Sequence, residues 1–381
     1  AGGPGRGFGQ WRAPGIMNLL NEFLRDPTVA RDWQVEHWNS FLPLARNARL
    51  LGRSLYLFEE HGLLDVVPQR LVDQFRGALA QTRYVQVQAK RELRQVKRVL
   101  DREQIPVMAL KGLAYLVAGL PPAGWRNLSD IDLLVPECDI DQAERVLQQA
   151  GWGPSGEFDD YDRHYYRDWM HEVPPLRHHS RETEVDIHHN LAPPVSRIRI
   201  DSGLLWEDAV PAPEEYGLQV DVLGPADMLL HNAVHLFMND ELRGGLRDVV
   251  DFRDLFRHFA GQDDEFEQRL LQRARQLGCG RPLYYALTTA QRQAGLEPSA
   301  DLLAGVRSCA PVAPLAGLMH WLIEQALAPA RLGMLQTTLA NQLLFIRSHW
   351  VRMPPGMLVR HLWHKTFKPK TPPTHDAEMP G

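Results

Sequence analysis

The sequence lacks any apolar run of about 18 residues, the length a membrane-spanning helix needs, so no transmembrane segment is expected. Its first 15 residues, AGGPGRGFGQWRAPG, have no apolar core of the signal-peptide kind and read as a flexible leader. Cysteine is scarce. Cys138, Cys279 and Cys309 are odd in number and far apart, which excludes a disulfide framework and a zinc ribbon and fits a reducing compartment, so a cytoplasmic location is expected. No sign of charge dominates either: 42 Lys and Arg stand against 47 Asp and Glu, and the net charge of -5 gives no global reason for a nucleic-acid or membrane partner. A repeat of fixed period is also missing, which excludes solenoids and propellers.

What is present is enough apolar content, 44% of 381 residues, to build substantial cores. From Ile16 to Glu103 apolar residues recur at helical spacing, as in WNSFLPLARNARLLGRSLYLFEEHGLL, and predict about four helices. IPVMALKG then switches to a short strand, AYLVAGL to a short helix and PPAGWRNLS to a loop. IDLLV predicts the next strand, and DIDQAERVLQQAGW a helix with Asp139 or Asp141 at its start and Gly151 at its end. Within VPPLRHHSRETEVDIHHNL two further strands flank a polar turn at Ser180, Arg181 and Glu182. Helical periodicity returns at Pro225 and continues to about Lys365. The organisation expected is a leader (1–15), a helical N-terminal region (16–103), an α/β core (104–222), a helical C-terminal domain (223–368) and a flexible tail (369–381). That is an α+β chain whose small mixed sheet is flanked by helical regions on both sides.

Within this plan NLSDIDLLVP, residues 127–136, runs against local propensity, because aspartate is depleted in strands and seldom buried unpaired. Period-two alternation puts Asp130 and Asp132 on one face and Ile131 on the other. Two carboxylates so placed suit a hard divalent cation, and Mg²⁺ in particular is usually held by one or two carboxylates with substrate phosphates. Asp186 in EVDIHH, between Val185 and Ile187, is the candidate third acid; three acids allow two ions to flank an in-line phosphoryl displacement. Lys111 and Gly112 end a strand and open a helix, a cation beside unpaired amides that could cradle phosphate, and Arg126 could add a second cation.

LKG, an arginine, SDIDLLV, a capped helix ending in GW, and EVDIHHNL together resemble the nucleotidyltransferase superfamily of the DNA polymerase β type. More closely they resemble the bacterial family of uncharacterised nucleotidyltransferases, with its helical front, compact α/β core and helical rear, over about residues 30–365. The resemblance implies that Asp130, Asp132 and Asp186 are catalytic and hold Mg²⁺ or Mn²⁺. Lys111, Gly112, Arg126 and Ser129 then contact a nucleoside triphosphate, with ATP the expected donor. Lys111-Gly112 replaces the Gly-Ser or Gly-Gly usual in the superfamily, and its gap to Asp130 is longer than the norm. His188 matches a family His or aromatic position, and His231, His235 and Asp251 fall on a rear motif of two histidines and an aspartate, so His188, His231 and His235 are candidates for an acceptor pocket. The acceptor implied is a small molecule or a peptide rather than tRNA. Alternatives are transfer of a sugar from a nucleotide sugar, or a non-catalytic nucleotide-binding adaptor.

Two further features invite other chemistry. HNAVH puts His231 and His235 on one helix face, but Asn232 stands where a zinc protease has its glutamate, which disfavours a zinc hydrolase. His164, His171, His178, His179, His188 and His189 lack regular ligand spacing and are expected mostly at the surface. Residues 346–370 hold six Lys or Arg, no acid, and Trp350, Trp363 and Phe367, a candidate surface for an anionic partner.

Overall fold

The computed structural model describes residues 19–156, 166, 169–214, 217, 219–238, 242, 244–328, 335–354 and 356–358. The expected leader (1–15) and tail (369–381), His164, Trp363, Phe367 and the last four cations of the basic stretch lie outside the described residues.

The front is helical because its apolar residues recur every three to four positions and are large. Helices α1 (Leu19–Arg25), α2 (Val35–Asn47) and α3 (Leu51–Glu60) enclose an aromatic cluster in which Phe23 lies 4.7 Å from Phe58 and Trp33 4.7 Å from Trp38 between ring centroids. Trp38 and Phe41 are core residues. Helix α4 (Gln69–Arg102), about 51 Å long at 1.5 Å per residue, buries Leu71, Phe75, Leu79, Leu93, Val96 and Leu100. It also buries Glu92, which accepts from Trp152 Nε1 at 2.7 Å and pairs with Arg181 Nε at 2.5 Å, tying the long helix to the edge of the sheet.

The sheet comprises β1 (Met108–Ala109), β2 (Asp130–Leu134), β3 (Trp152–Pro154), β4 (Leu176–His178), β5 (Glu184–His188), β6 (Val210–Pro211) and β7 (Asp221–Val222), in the order β3-β4-β5-β2-β1-β7-β6. It is mixed: β2 runs parallel to β5 and antiparallel to β1, and β1 runs parallel to β7. Ile131, Leu133, Val185 and Ile187 are fully buried on one face. The opposite face carries the acids. Helices α5 (Lys111–Val117) and α6 (Ile140–Gln149) pack beside these strands. Asp139 occupies the N-cap position of α6 without a side-chain cap bond, and Gly151 after its end takes φ +105°, a conformation glycine adopts without strain.

After α7 (Ser202–Glu207), the rear is built around α8 (Pro225–Met238), buried on nearly every side. Around it stand α9 (Leu246–Ala260), α10 (Phe266–Gln276), α11 (Gly280–Ala294), α12 (Ala300–Arg307), α13 (Ala313–Leu327) and α14 (Leu335–Arg352). Asp227 of α8 takes both arms of the Arg273 guanidinium at 2.6 Å, a bidentate pair that also bonds Leu204 O. Arg253 of α9, 1% exposed, donates to Leu24 O and Ala294 O and so joins front to rear. In the basic stretch, Arg347 donates to Phe237 O and lies over Tyr285, while Arg352 is buried, so its two described cations face inward. No helix among the described residues is long and apolar enough to cross a membrane.

Candidate active site

Parallel pairing fixes the central geometry. The β2–β5 register sets Asp132 directly opposite Asp186, Asp130 opposite Glu184 and Leu134 opposite His188. Because side chains alternate, Asp130, Asp132, Asp186 and His188 all stand on one face, over two adjacent strands about 4.8 Å apart. The sequence contributes the alternation; only the pairing brings residue 186 beside residue 132.

Asp132 is the hub. Its Oδ1 receives Lys111 Nζ at 2.6 Å and lies 3.1 Å from His188 Nε2. Burial would raise its pKa, but the Lys111 charge and the His188 bond outweigh it and hold the carboxyl well below the usual range. Burial likewise opposes the Lys111 charge, and Asp132 overrides it, keeping the ammonium firmly protonated. Asp186 is in the opposite situation. Its Oδ1 is buried without a hydrogen-bond partner among the described residues, and burial plus the neighbouring Asp132 push its pKa up to about 7. Asp130 is also raised, by burial and then by Asp132, and accepts from Ser129 Oγ at 3.0 Å. A buried, unpartnered carboxylate oxygen opposite an ionised carboxylate is a donor set suited to a divalent cation. Asp132, Asp186 and His188 each offer a ligand atom within 4.8 Å of the others. Asp130 does not belong to that close group, although it shares the face.

Lys111 adopts φ +49°, an unusual value for a residue with a Cβ. Its neighbour Gly112 is required by packing: a Cβ there would stand 2.4 Å from Leu128 Cδ2 and 2.7 Å from Arg126 Nε. Arg126, expected to face substrate, is held by Asp248 at 2.9 Å and by Asp251 of α9, with Tyr115 under its guanidinium. Burial would raise Asp248, but Arg247 and Arg126 lower it well below the carboxylate norm. The loop before β2 is thereby braced against the rear helices.

His231 and His235 lie one turn apart on α8 with ring centroids 6.5 Å apart. Burial and then the Lys111 charge drive the pKa of both down, that of His235 to about 3, so both are neutral at pH 7. Of the histidine-rich stretch, His178 and His179 stack at the surface, whereas His188 and His189 are buried. His171 and Glu172 also reach the site. The Glu172 carboxylate lies 3.3 Å from His188 Nδ1, and the His171 ring is 5.3 Å from that of His188. Sequence reasoning missed Glu172, since the only signal was an acid next to a histidine in a stretch without period.

A search of curated proteins finds no significant match. The model of a family described as uncharacterised nucleotidyltransferase matches residues 34–295, well over half of the chain, and spans α2 to α11 with every residue of the acidic site. The chain therefore belongs to the uncharacterised nucleotidyltransferase family and is a transferase of nucleotidyl groups.

Proposed function

We propose that the protein uses Mg²⁺ or Mn²⁺ and a nucleoside triphosphate, with ATP as donor, to transfer a nucleotidyl group to a hydroxyl or phosphate of a small-molecule or peptide acceptor. The observation that carries this reading is the placement of Asp132 directly opposite Asp186, with Asp130 on the same face. Asp132 and Asp186, with Asp130, would hold the divalent ion, which when bound supplies charge neutralisation at the phosphoryl oxygens. Lys111, now on Asp132, is placed to exchange that partner for the triphosphate tail. The acceptor oxygen attacks the α-phosphorus, the bond to the β-phosphate breaks, and pyrophosphate leaves. Asp186, kept ionised by the cation it would share with Asp132, would take up the proton of the acceptor hydroxyl. His188 orients Asp132, and the neutral His231 and His235 offer hydrogen bonds to the acceptor. Arg126 braces the loop, and Gly112 lets it pass close to α5.

The test uses α-³²P-labelled ATP with Mg²⁺ or Mn²⁺, the full chain and a panel of small-molecule and peptide acceptors. Labelled acceptor together with pyrophosphate release, both abolished in Asp132→Asn, is the expected result. Triphosphate binding without turnover on any acceptor, or turnover only with nucleotide sugars, would overturn it in favour of an adaptor or a glycosyl transferase.

A further inference from the structure

The His171–Glu172 segment is bound to the end of β5 as an additional edge. Glu172 and His188 form an antiparallel bridge, and Val173 N→Ile187 O (3.0 Å) and His189 N→His171 O (2.8 Å) bracket it. Flanking bonds of this kind make Glu172 and His188 a non-hydrogen-bonded pair, the type that brings side chains closest. The backbone thus holds a carboxylate against an imidazole with little freedom for either. His171, Glu172 and His188 each present one ligand atom within 4.8 Å of the others.

Three observations point to a ligand. His188 is 2% exposed, and its Nδ1 faces Glu172 Oε2 at 3.3 Å but has no hydrogen-bond partner among the described residues. Nδ1 of His171 is buried and likewise has no hydrogen-bond partner among the described residues. Meanwhile His188 Nε2 faces Asp132 Oδ1 at 3.1 Å. An imidazole that donates one N–H to a carboxylate and turns its other nitrogen toward further donors is the arrangement metal-bound histidines adopt, because the carboxylate fixes the tautomer and makes the free nitrogen more basic. Two imidazoles and one carboxylate form a donor set for Zn²⁺ with a fourth position left open. Nitrogen donors also separate this set from the oxygen-only preference of Mg²⁺.

We propose that His171, Glu172 and His188 form a Zn²⁺ site of their own, beside the carboxylate pair and joined to it through the Asp132–His188 bond. A cation on Nδ1 of His188 strengthens the Nε2–H donor and so keeps Asp132 ionised and oriented. This assignment rests on its own geometry.

The untagged full chain, stripped with a chelator and titrated with Zn²⁺ by calorimetry and with Co²⁺ by visible absorption, tests it. Expected are about one equivalent bound at roughly micromolar affinity or tighter and Co²⁺ bands of a low-coordinate nitrogen–oxygen site, undisturbed by millimolar Mg²⁺. His171→Gln and Glu172→Gln should each weaken Zn²⁺ at least tenfold; Asp132→Asn, acting through His188, should cost roughly 10- to 100-fold. Asp186→Asn should leave affinity within about threefold, with circular dichroism reporting the fold of every variant. Absence of stoichiometric binding by the wild-type chain would overturn the proposal. So would binding lost in Asp186→Asn yet kept in Glu172→Gln, which would put the ion on the carboxylate pair instead.

Discussion

Replacing Asp186 with asparagine should abolish transfer and yet stabilise the metal-free protein at pH 8. The Asp186 carboxyl has a folded-state pKa of about 7 against 3.8 when unperturbed, because burial and then Asp132 disfavour its charge. Below about pH 4 it is protonated whether the chain is folded or not, and no penalty arises. Between about 4 and 7 the unfolded chain releases the proton while the folded chain keeps it, so stability falls as pH rises; above about 7 the loss is complete. Three pH units correspond to about 4 kcal/mol at 1.36 kcal/mol per unit. Partial solvent access reduces this, and about 2 kcal/mol is expected, a few degrees of melting temperature for a chain of this size. The asparagine is nearly isosteric, carries no charge, and its amide can donate to Asp132. The assay is thermal melting of both proteins in chelator from pH 5 to 9. The difference between the curves isolates the 186 position, since every other group is shared. A variant no more stable than wild type at pH 8, or a difference independent of pH, would refute the argument that Asp186 is a buried charge awaiting a cation.

Arg126→Ala should destabilise the fold by about 3–5 kcal/mol, because it takes the counter-charge from the buried Asp251 and leaves Asp248 with Arg247 alone; urea titration showing an unchanged midpoint and only weaker triphosphate binding would assign Arg126 to substrate instead. Gly112→Ala should cost about 1–3 kcal/mol, since the new Cβ meets Leu128 and Arg126 below van der Waals contact; a neutral effect in the same titration would show that the loop yields freely. His235→Gln should flatten the acid limb of stability: the folded pKa of about 3 lies below 6.5, so stability is present above pH 6.5 and lost toward pH 3, by up to about 1.4 kcal/mol per unit. Equal slopes for variant and wild type between pH 6 and 4 would contradict the buried, neutral imidazole. Lys111→Met should weaken triphosphate affinity about 10- to 100-fold through loss of a charged contact, measured by calorimetry with Mn²⁺; unaltered affinity would confine Lys111 to Asp132.

Much of the fold was legible because it depends on local periodicity. Helical spacing located the front and rear helices, and the short runs around Met108, Ile131, Leu176 and Val185 located four strands, since a segment's own pattern decides which face it can bury. The two- and three-residue strands β3, β6 and β7 were not read from the sequence; they form where a neighbouring strand supplies the ladder.

The candidate site divides in the same way. The misplaced aspartates of SDIDLLV identified themselves, because their cost in a strand is a local property. The partnerships are not local: Asp186 opposite Asp132, Lys111 on Asp132, Arg126 claimed by Asp248 and Asp251, and His171–Glu172 beside His188 each join residues from separate elements. Gly112 shows the difference most clearly, since the sequence marks a close approach and only the packed structure shows that what approaches is Arg126 and Leu128. Composition and spacing determined which chemistry the chain can carry. Tertiary packing decided which charges are already neutralised and which wait for a ligand, because the cost of a buried charge depends on the groups that surround it in space.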